Sequence, residues 1–169
     1  MVKATLDLDN YLPYLVNRVG NIIAEQFGAE ALAPYRLSIA MWRVMAVLAS
    51  RGGQRQIDLA DLTSIDSSTL SRLVTRLVQI GIVTRTRSTS SNREVVVKLS
   101  VKGSAVVGRL IPIALDYEQA AIGDLSAQEL AVLKRCLRRV YDNMRNVARV
   151  EQRETREGQS RLNAAPGFR

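Results

Sequence analysis

Apolar residues recur at three- and four-residue steps through residues 66–81, near the middle of the chain. This repeat predicts an α-helix with one buried side. Asp66 is expected to cap its start and Gly81 to end it. The predicted buried positions are Leu70, Leu73, Val74, Leu77 and Ile80. The opposite side carries hydroxyl, amide and guanidinium groups and no carboxylate, at Ser68, Arg72, Thr75, Arg76 and Gln79. Such a side suits the phosphates and groove edges of a nucleic-acid duplex.

A shorter apolar pattern precedes this helix. Residues 56–64 predict a helix with an apolar side made of Ile57, Leu59, Ala60 and Leu62. A tight turn over residues 63–65 then leads into the longer helix. Two helices joined by so short a turn form a helix-turn-helix, whose second helix lies in the major groove of DNA. Many such turns carry glycine where this chain has Ser64.

Two β-branched runs follow, over residues 82–88 and 94–100. They flank a polar tip at residues 89–93, and the pattern predicts a β-hairpin. A hairpin directly after a helix-turn-helix is the wing of a winged helix. Arg85, Arg87 and Arg93 are expected on or beside this wing, where they could enter a minor groove or clamp phosphates.

Several segments match a known family in order and spacing. They are Leu37-Ser38 with Trp42, Leu59-Ala60, residues 68–74 with Leu77, residues 81–83, and residues 93–100 with Lys102-Gly103. By these segments the chain resembles the MarR family of bacterial transcriptional regulators over residues 8–149. The resemblance implies a mainly α fold with a small β-hairpin wing, and terminal helices that build a dimer. Ser91 stands where the family's wing usually carries an aspartate, two residues before the arginine that matches Arg93.

Amphipathic helices are predicted on both sides of the winged helix. They cover residues 8–30, 38–49 with Ser38 as the cap, 101–122 with Pro112 inside, and 127–150 after a capping box from Ser126 to Glu129. A turn is expected over residues 51–54, before the helix-turn-helix. The terminal helices carry more apolar surface than a small winged domain can cover, which predicts a two-fold homodimer on a pseudo-palindromic operator in double-stranded DNA. The expected divisions are an N-terminal dimerisation helix at 1–36, the winged helix-turn-helix at 37–103, C-terminal dimerisation helices at 104–150 and a disordered tail at 151–169.

Charge and composition favour a nucleic-acid partner. The formal charge is +8, from 24 basic and 16 acidic residues. Residues 51–102 hold nine basic and four acidic residues, which is a net +5. With no histidine and the single cysteine Cys136, an intrachain disulfide and the usual zinc sites are excluded. We expect Cys136 to be a buried structural thiol. No cofactor or enzymatic function is predicted, and no secretory signal or membrane span is evident, so a cytoplasmic protein without a membrane partner is expected.

The family resemblance also implies a small-molecule effector. Members bind small aromatic acids between the DNA-binding lobe and the dimer helices. The candidate ligand-binding residues are Tyr11, Tyr14, Asn17, Arg18, Trp42, Arg43 and Met45. The alternative is that the aromatic residues and Met45 pack in the core or dimer, with the arginines on the surface. Residues 8–18 are similar to regulators that answer hydroxycinnamic acids or their CoA thioesters.

Together with these patterns, the family resemblance implies a homodimeric repressor that leaves its operator when a small aromatic acid, or its CoA thioester, binds. The candidate DNA-binding residues are Ser67, Ser68, Thr69, Ser71, Arg72, Thr75, Arg76, Arg85, Arg87 and Arg93. The alternative is a winged-helix module that binds RNA or protein without an effector. It has less support because no aromatic side chains lie on the basic face to stack on bases.

Overall fold

A computed structural model gives the fold of the chain. It describes residues 5–87 and 95–163, with side chains over 5–86 and 95–147. The chain divides into two compact units, Met1–Ala121 and Ile122–Arg169. The helices and strands of the described residues are α1 Leu12–Phe27, α2 Ile39–Arg51, β1 Gln54–Arg55, α3 Gln56–Thr63, α4 Ser67–Gln79, β2 Val83–Arg87, β3 Val95–Leu99, α5 Val101–Ile122 and α6 Ala127–Asn163.

One apolar core holds the first unit together. Its fully buried side chains come from the π turn after α1 and from α2, α3, α4, β2, β3 and α5. The largest are Leu32, Met45, Leu59, Leu70, Leu77, Leu110, Val44, Val74, Val83 and Val97. Burying one such side chain contributes about 1.5 to 3 kcal/mol, so this interior fixes how α4 sits against the sheet.

The first helix begins later than the predicted residue 8. Leu8–Asn10 forms a single 3-10 turn, Tyr11 is extended, and α1 starts at Leu12. Pro13 explains this start, because proline is favourable in the first helical turn but clashes with the preceding turn once a helix is under way. The end also differs from the predicted Glu30. The backbone continues through a π turn at Gly28–Leu32 and a 3-10 turn at Ala33–Tyr35.

The second helix is capped as predicted. The backbone N–H of Met41 donates to Ser38 Oγ at 3.2 Å. The helix runs to Arg51, two residues past the predicted end, and stops at Gly52, whose φ of 75° favours glycine. The two-residue strand β1 follows where a plain turn was expected, and it pairs with β3.

The short helix α3 departs from its predicted apolar side at Ile57. Leu59 is fully buried, whereas Ile57 is 69% exposed. Residues two apart lie about 200° apart around a helix, so Ile57 and Leu59 cannot share one buried side. Thr63, one turn after Leu59, is buried instead and donates its hydroxyl to the Leu59 carbonyl at 2.6 Å.

The predicted hairpin is present. Antiparallel β2 and β3 pair from Val83 opposite Leu99 to Arg87 opposite Val95, and the strand order of the sheet is β1-β3-β2. The polar tip predicted at residues 89–93 lies outside the described residues. The mainly helical chain with this small antiparallel sheet is a winged helix-turn-helix.

The second unit consists mainly of α6. Its capping box is formed: the Ser126 N–H donates to Glu129 Oε2 at 2.9 Å, and the Glu129 N–H donates to Ser126 Oγ at 3.3 Å. The helix extends to Asn163 instead of ending near Val150, since the added segment is rich in strong helix formers such as Arg, Glu and Gln. The boundaries of functional regions, including the tail at 151–169, remain predictions.

The apolar side of α6 is exposed in the single chain. Between 39% and 63% of the side-chain surface is accessible at its large apolar positions, which are Leu133, Leu137, Val140, Tyr141, Met144 and Val147. Cys136 is also exposed, so the expectation of a buried thiol is wrong for this chain. The apolar spacing was read correctly, but among the described residues these positions remain exposed to solvent.

Among the described residues, no single helix is long and apolar enough to cross a membrane. One bent pair, Leu12–Tyr35 with Ile39–Arg51 at 79°, meets the criteria of length and composition when its two parts are joined.

Candidate nucleic-acid interface

The start of α4 is fixed by Asp66. Its Oδ1 accepts a hydrogen bond from the Thr69 N–H at 2.9 Å and another from Ser68 Oγ at 2.7 Å. The Thr69 amide contributes most to holding the pKa of Asp66 well below its usual value, and the Ser68 hydroxyl adds to this. The carboxylate therefore stays charged at the positive end of the helix. Ser68, a candidate DNA contact, already donates its hydroxyl proton to this cap.

The turn before α4 uses an unusual backbone conformation. Ser64 has φ 53° and ψ 38°, in the left-handed region that favours glycine. The Ile65 N–H donates to the Ala60 carbonyl at 3.2 Å and closes the turn. Serine at this position costs roughly 1 kcal/mol, which the packing of α3 on α4 offsets. The motif is formed without the glycine that many related turns use.

The two sides of α4 are as different as the sequence predicted. Leu70, Val74 and Leu77 are fully buried, and Leu73 and Ile80 are half-buried. The polar side is exposed throughout, at Ser68, Arg72, Thr75, Arg76 and Gln79. The buried side anchors the helix, which leaves two guanidinium groups and several hydrogen-bonding groups for a partner.

The remaining polar positions of α4 differ in how much they present to solvent. Ser67 is exposed, whereas Thr69 and Ser71 are half-buried. Arg72 Nη2 donates to Thr69 Oγ1 at 3.2 Å, which orients the guanidinium along the helix. Arg76 is exposed in the last turn.

The three wing arginines do not share one environment. The Arg85 guanidinium contacts α4: its Nη2 donates to the Ser71 carbonyl and to Thr75 Oγ1, each at 3.1 Å. The backbone of Arg87 lies in β2, but its side chain is outside the described part of the structure, as is all of Arg93. The contact of Arg85 with α4 was not expected from the sequence.

The junction of the wing with α5 is tied to the end of α4. Ser100 Oγ donates to the Gly81 carbonyl at 2.6 Å and accepts from the Gly103 N–H at 2.9 Å. Lys102 Nζ donates to the Ile80 carbonyl at 2.9 Å, so a cation satisfies the free carbonyl end of the helix. No role for Lys102 was predicted, although a lysine three residues after the end of β3 was the available signal.

The candidate ligand residues fall into separate surroundings. On α1, the guanidinium of Arg18 lies 5.6 Å from the Tyr14 ring centroid, and Tyr11 and Asn17 are exposed. On α2, Met45 is fully buried, and the half-buried Trp42 ring lies 5.4 Å from that of Phe27. Arg43 is exposed. The burial of Met45 and the ring contact of Trp42 favour the packing alternative for these two.

An open groove of about 470 Å³ runs along α1. Arg18 contributes the cation on its wall, and the other lining residues are Leu15, Val19, Asn21, Ile22 and Glu25. Arg18 is thus a predicted ligand residue that lies in a groove, beside apolar side chains.

Comparison with known proteins identifies the winged-helix segment. Residues 37–95 match the model of the MarR family. This segment is therefore similar to MarR-family transcriptional regulators. The chain is 29% identical over 143 residues to the multiple antibiotic resistance protein MarR of Escherichia coli, covering 82% of this chain and 99% of that protein. It is 27% identical over 147 residues to the HTH-type transcriptional repressor NicR of Pseudomonas putida, covering 82% and 92%.

Solved MarR-family structures share the fold. A MarR family transcriptional regulator from Silicibacter pomeroyi superposes with a TM-score of 0.75 at 26% identity, over 85% of this chain and 95% of that one. A variant of E. coli MarR complexed with operator DNA superposes with a TM-score of 0.72 at 25% identity, over 82% and 99%. MarR-family regulators are DNA-binding proteins and not enzymes, in agreement with the predicted class.

Proposed function

We propose that this chain is a sequence-specific DNA-binding repressor that acts as a homodimer and leaves its operator when a small aromatic acid, or its CoA thioester, binds. The observation that carries the DNA-binding part is the polar side of α4, which is exposed, holds two arginines and lacks a carboxylate. The likeness to E. coli MarR supports the same role, because a variant of that protein was solved in complex with operator DNA. The repressor role rests on NicR, whose name states that role.

Homodimer formation is supported by exposed apolar surface on two helices. On α1, between 39% and 57% of the side chain is accessible at Leu12, Leu15, Val16, Val19 and Ile22. The apolar side of α6 is similarly exposed. Stripes this long on a helix mark an interaction surface, and a second copy of the same chain covers them by two-fold symmetry.

The aromatic effector is supported by the α1 groove. Arg18 offers a guanidinium for a carboxylate. The apolar groove residues beside it belong to the surface that the second copy would cover, so an aromatic ring would bind at the edge of the dimer interface. Ligand binding to a dimer whose two α4 helices are wrongly spaced would lower DNA affinity through a shift in population.

The decisive experiment measures operator affinity for Arg72→Ala and Arg76→Ala, using an operator selected from random duplex DNA. Each variant should weaken binding by about 1 to 3 kcal/mol if its guanidinium contacts a base edge. Both side chains are exposed, so the thermal midpoint should not change. Arg109→Ala, at an exposed position on α5, is the matched control and should bind as the wild type does. Unchanged affinity in both α4 variants would refute the assignment of this side of α4.

A further inference from the structure

Three groups form a closed set of hydrogen bonds between the wing and α4. Arg85 Nη2 donates to the Ser71 carbonyl and to Thr75 Oγ1, both at 3.1 Å. The Thr75 hydroxyl itself donates to the Ser71 carbonyl at 2.8 Å. The hydroxyl proton of Thr75 is therefore already used, and only an oxygen lone pair remains available to a partner.

The register of the sheet explains why Arg85 reaches α4. Arg85 lies directly opposite Val97, and Val83 lies opposite Leu99. Paired residues in an antiparallel sheet project to the same side, as do alternate residues of one strand. Val83 and Val97 are buried in the core, so Arg85 lies on the side of the sheet that packs on the helices. It is close enough to the edge of the core to remain exposed to solvent.

We infer that Arg85 is a positioning residue, which ties the wing to α4 through Ser71 and Thr75 and sets the angle at which the two meet DNA. This rests on the proposed DNA-binding function. A recognition helix and a wing reach adjacent parts of a duplex only if their relative orientation is held. A guanidinium suits this task because its planar N–H groups are pre-organised and always charged. Arg85 then acts through α4 and not as a phosphate contact.

The dependence of affinity on salt distinguishes the two roles. Each lost phosphate contact lowers the slope of log affinity against log salt by about one, whereas loss of a positioning residue leaves that slope unchanged. We expect Arg85→Ala to weaken operator binding about tenfold with the wild-type slope, and to weaken non-specific duplex binding much less. Arg76→Ala, measured alongside, shows how much operator affinity is lost with a direct contact from α4.

A double-mutant cycle with Thr75→Val tests whether Arg85 acts through this hydroxyl. Valine keeps the branched shape and removes the acceptor. In the Arg85→Ala background, Thr75→Val should cost less than twofold, although alone it should cost several-fold, because both changes break the same set of bonds. Arg85→Lys keeps the charge but not the planar fork, so it should still lose at least about threefold. Unfolding midpoints recorded without DNA show whether each variant is folded.

The outcomes separate this inference from the proposed function. Three results would each overturn the positioning role while operator binding by the wild type stands. They are a lower salt slope in Arg85→Ala, additive losses of operator affinity in the double-mutant cycle, and wild-type operator affinity in Arg85→Lys. Wild-type protein that fails to prefer any duplex sequence would overturn the DNA-binding proposal, and the inference with it.

Discussion

Gly103→Ala should destabilise the protein even though alanine is the better helix former. A Cβ at Gly103 would collide with the carbonyl oxygen of Ile82 and lie 3.3 Å from Leu99 Cδ2. That carbonyl accepts the Ser100 N–H at 3.0 Å, so it cannot retreat without loss of a hydrogen bond. Because the obstructing atom belongs to the backbone, either the first turn of α5 or the start of β2 must shift.

The steric cost and the gain in helix propensity act in opposite directions, so their sizes decide whether Gly103→Ala stabilises or destabilises the protein. Forcing an extra methyl group into a well-packed site costs about 1 to 3 kcal/mol, and a backbone collision belongs at the upper end. The gain in helix propensity is at most about 1 kcal/mol, and less in the first turn. The net loss should be about 2 kcal/mol, or roughly 4 to 8 °C in the unfolding midpoint for a chain of this size.

Gly108→Ala in the same helix is the matched control. No heavy atom lies within 4 Å of a Cβ built at Gly108, so only the propensity gain remains. This variant should be more stable by about 0.5 to 1 kcal/mol. Both variants should be unfolded in denaturant at one protein concentration and followed by circular dichroism. Equal stability of the two variants would refute the steric argument.

Three further predictions concern the cap, the dimer and the effector. Asp66→Ala should lower the unfolding midpoint, whereas Asp66→Asn should keep most of the cap. Because the pKa of Asp66 is lowered in the folded chain, its contribution to folding stability should be complete above pH 3.8 and should decline as the pH falls below that value. The asparagine variant should lack this pH dependence. Leu137→Asp should weaken the dimer by at least about 2 kcal/mol in sedimentation, whereas Arg135→Ala should not, and a monomeric wild type at micromolar concentration would refute the dimer. Arg18→Ala should weaken binding of benzoate, p-coumarate or p-coumaroyl-CoA in calorimetry by about 1.5 to 3 kcal/mol, and no binding of any of the three to the wild type would remove the aromatic effector.

Features set by local sequence were the ones predicted well. The caps at Ser38, Asp66 and Ser126 depend on residues within a few positions, as does the buried stripe of α4. The hairpin followed from two β-branched runs around a polar tip. In each case the side chains that define the element also supply its hydrogen bonds or its buried side.

Features that depend on distant partners were missed. The strand β1 has two residues and no periodicity, and it exists because Gln54 pairs with Val97. The contact of Arg85 with α4 depends on the register of β2 against β3, which a sequence pattern does not specify. The exposure of Cys136 depends on which segments pack against α6, and the spacing of apolar residues along one helix does not specify that.

The distribution of buried and exposed apolar surface also constrains how an effector could act. Helix α4 is held by the apolar core of the first unit, where Leu70 and Val97 are fully buried. The contact of Lys102 with the Ile80 carbonyl holds its C-terminal end. The uncovered apolar surface lies on α1 and α6 instead. Melting α4 would therefore cost several buried side chains, each worth about 1.5 to 3 kcal/mol. A shift between two copies of the chain leaves that core intact. A typical allosteric ligand supplies a coupling energy of about 1 to 3 kcal/mol, which is sufficient for such a shift but not for melting α4. If a ligand releases a dimer of this chain from DNA as proposed, altered spacing of two intact winged-helix lobes is the mechanism that these energies favour.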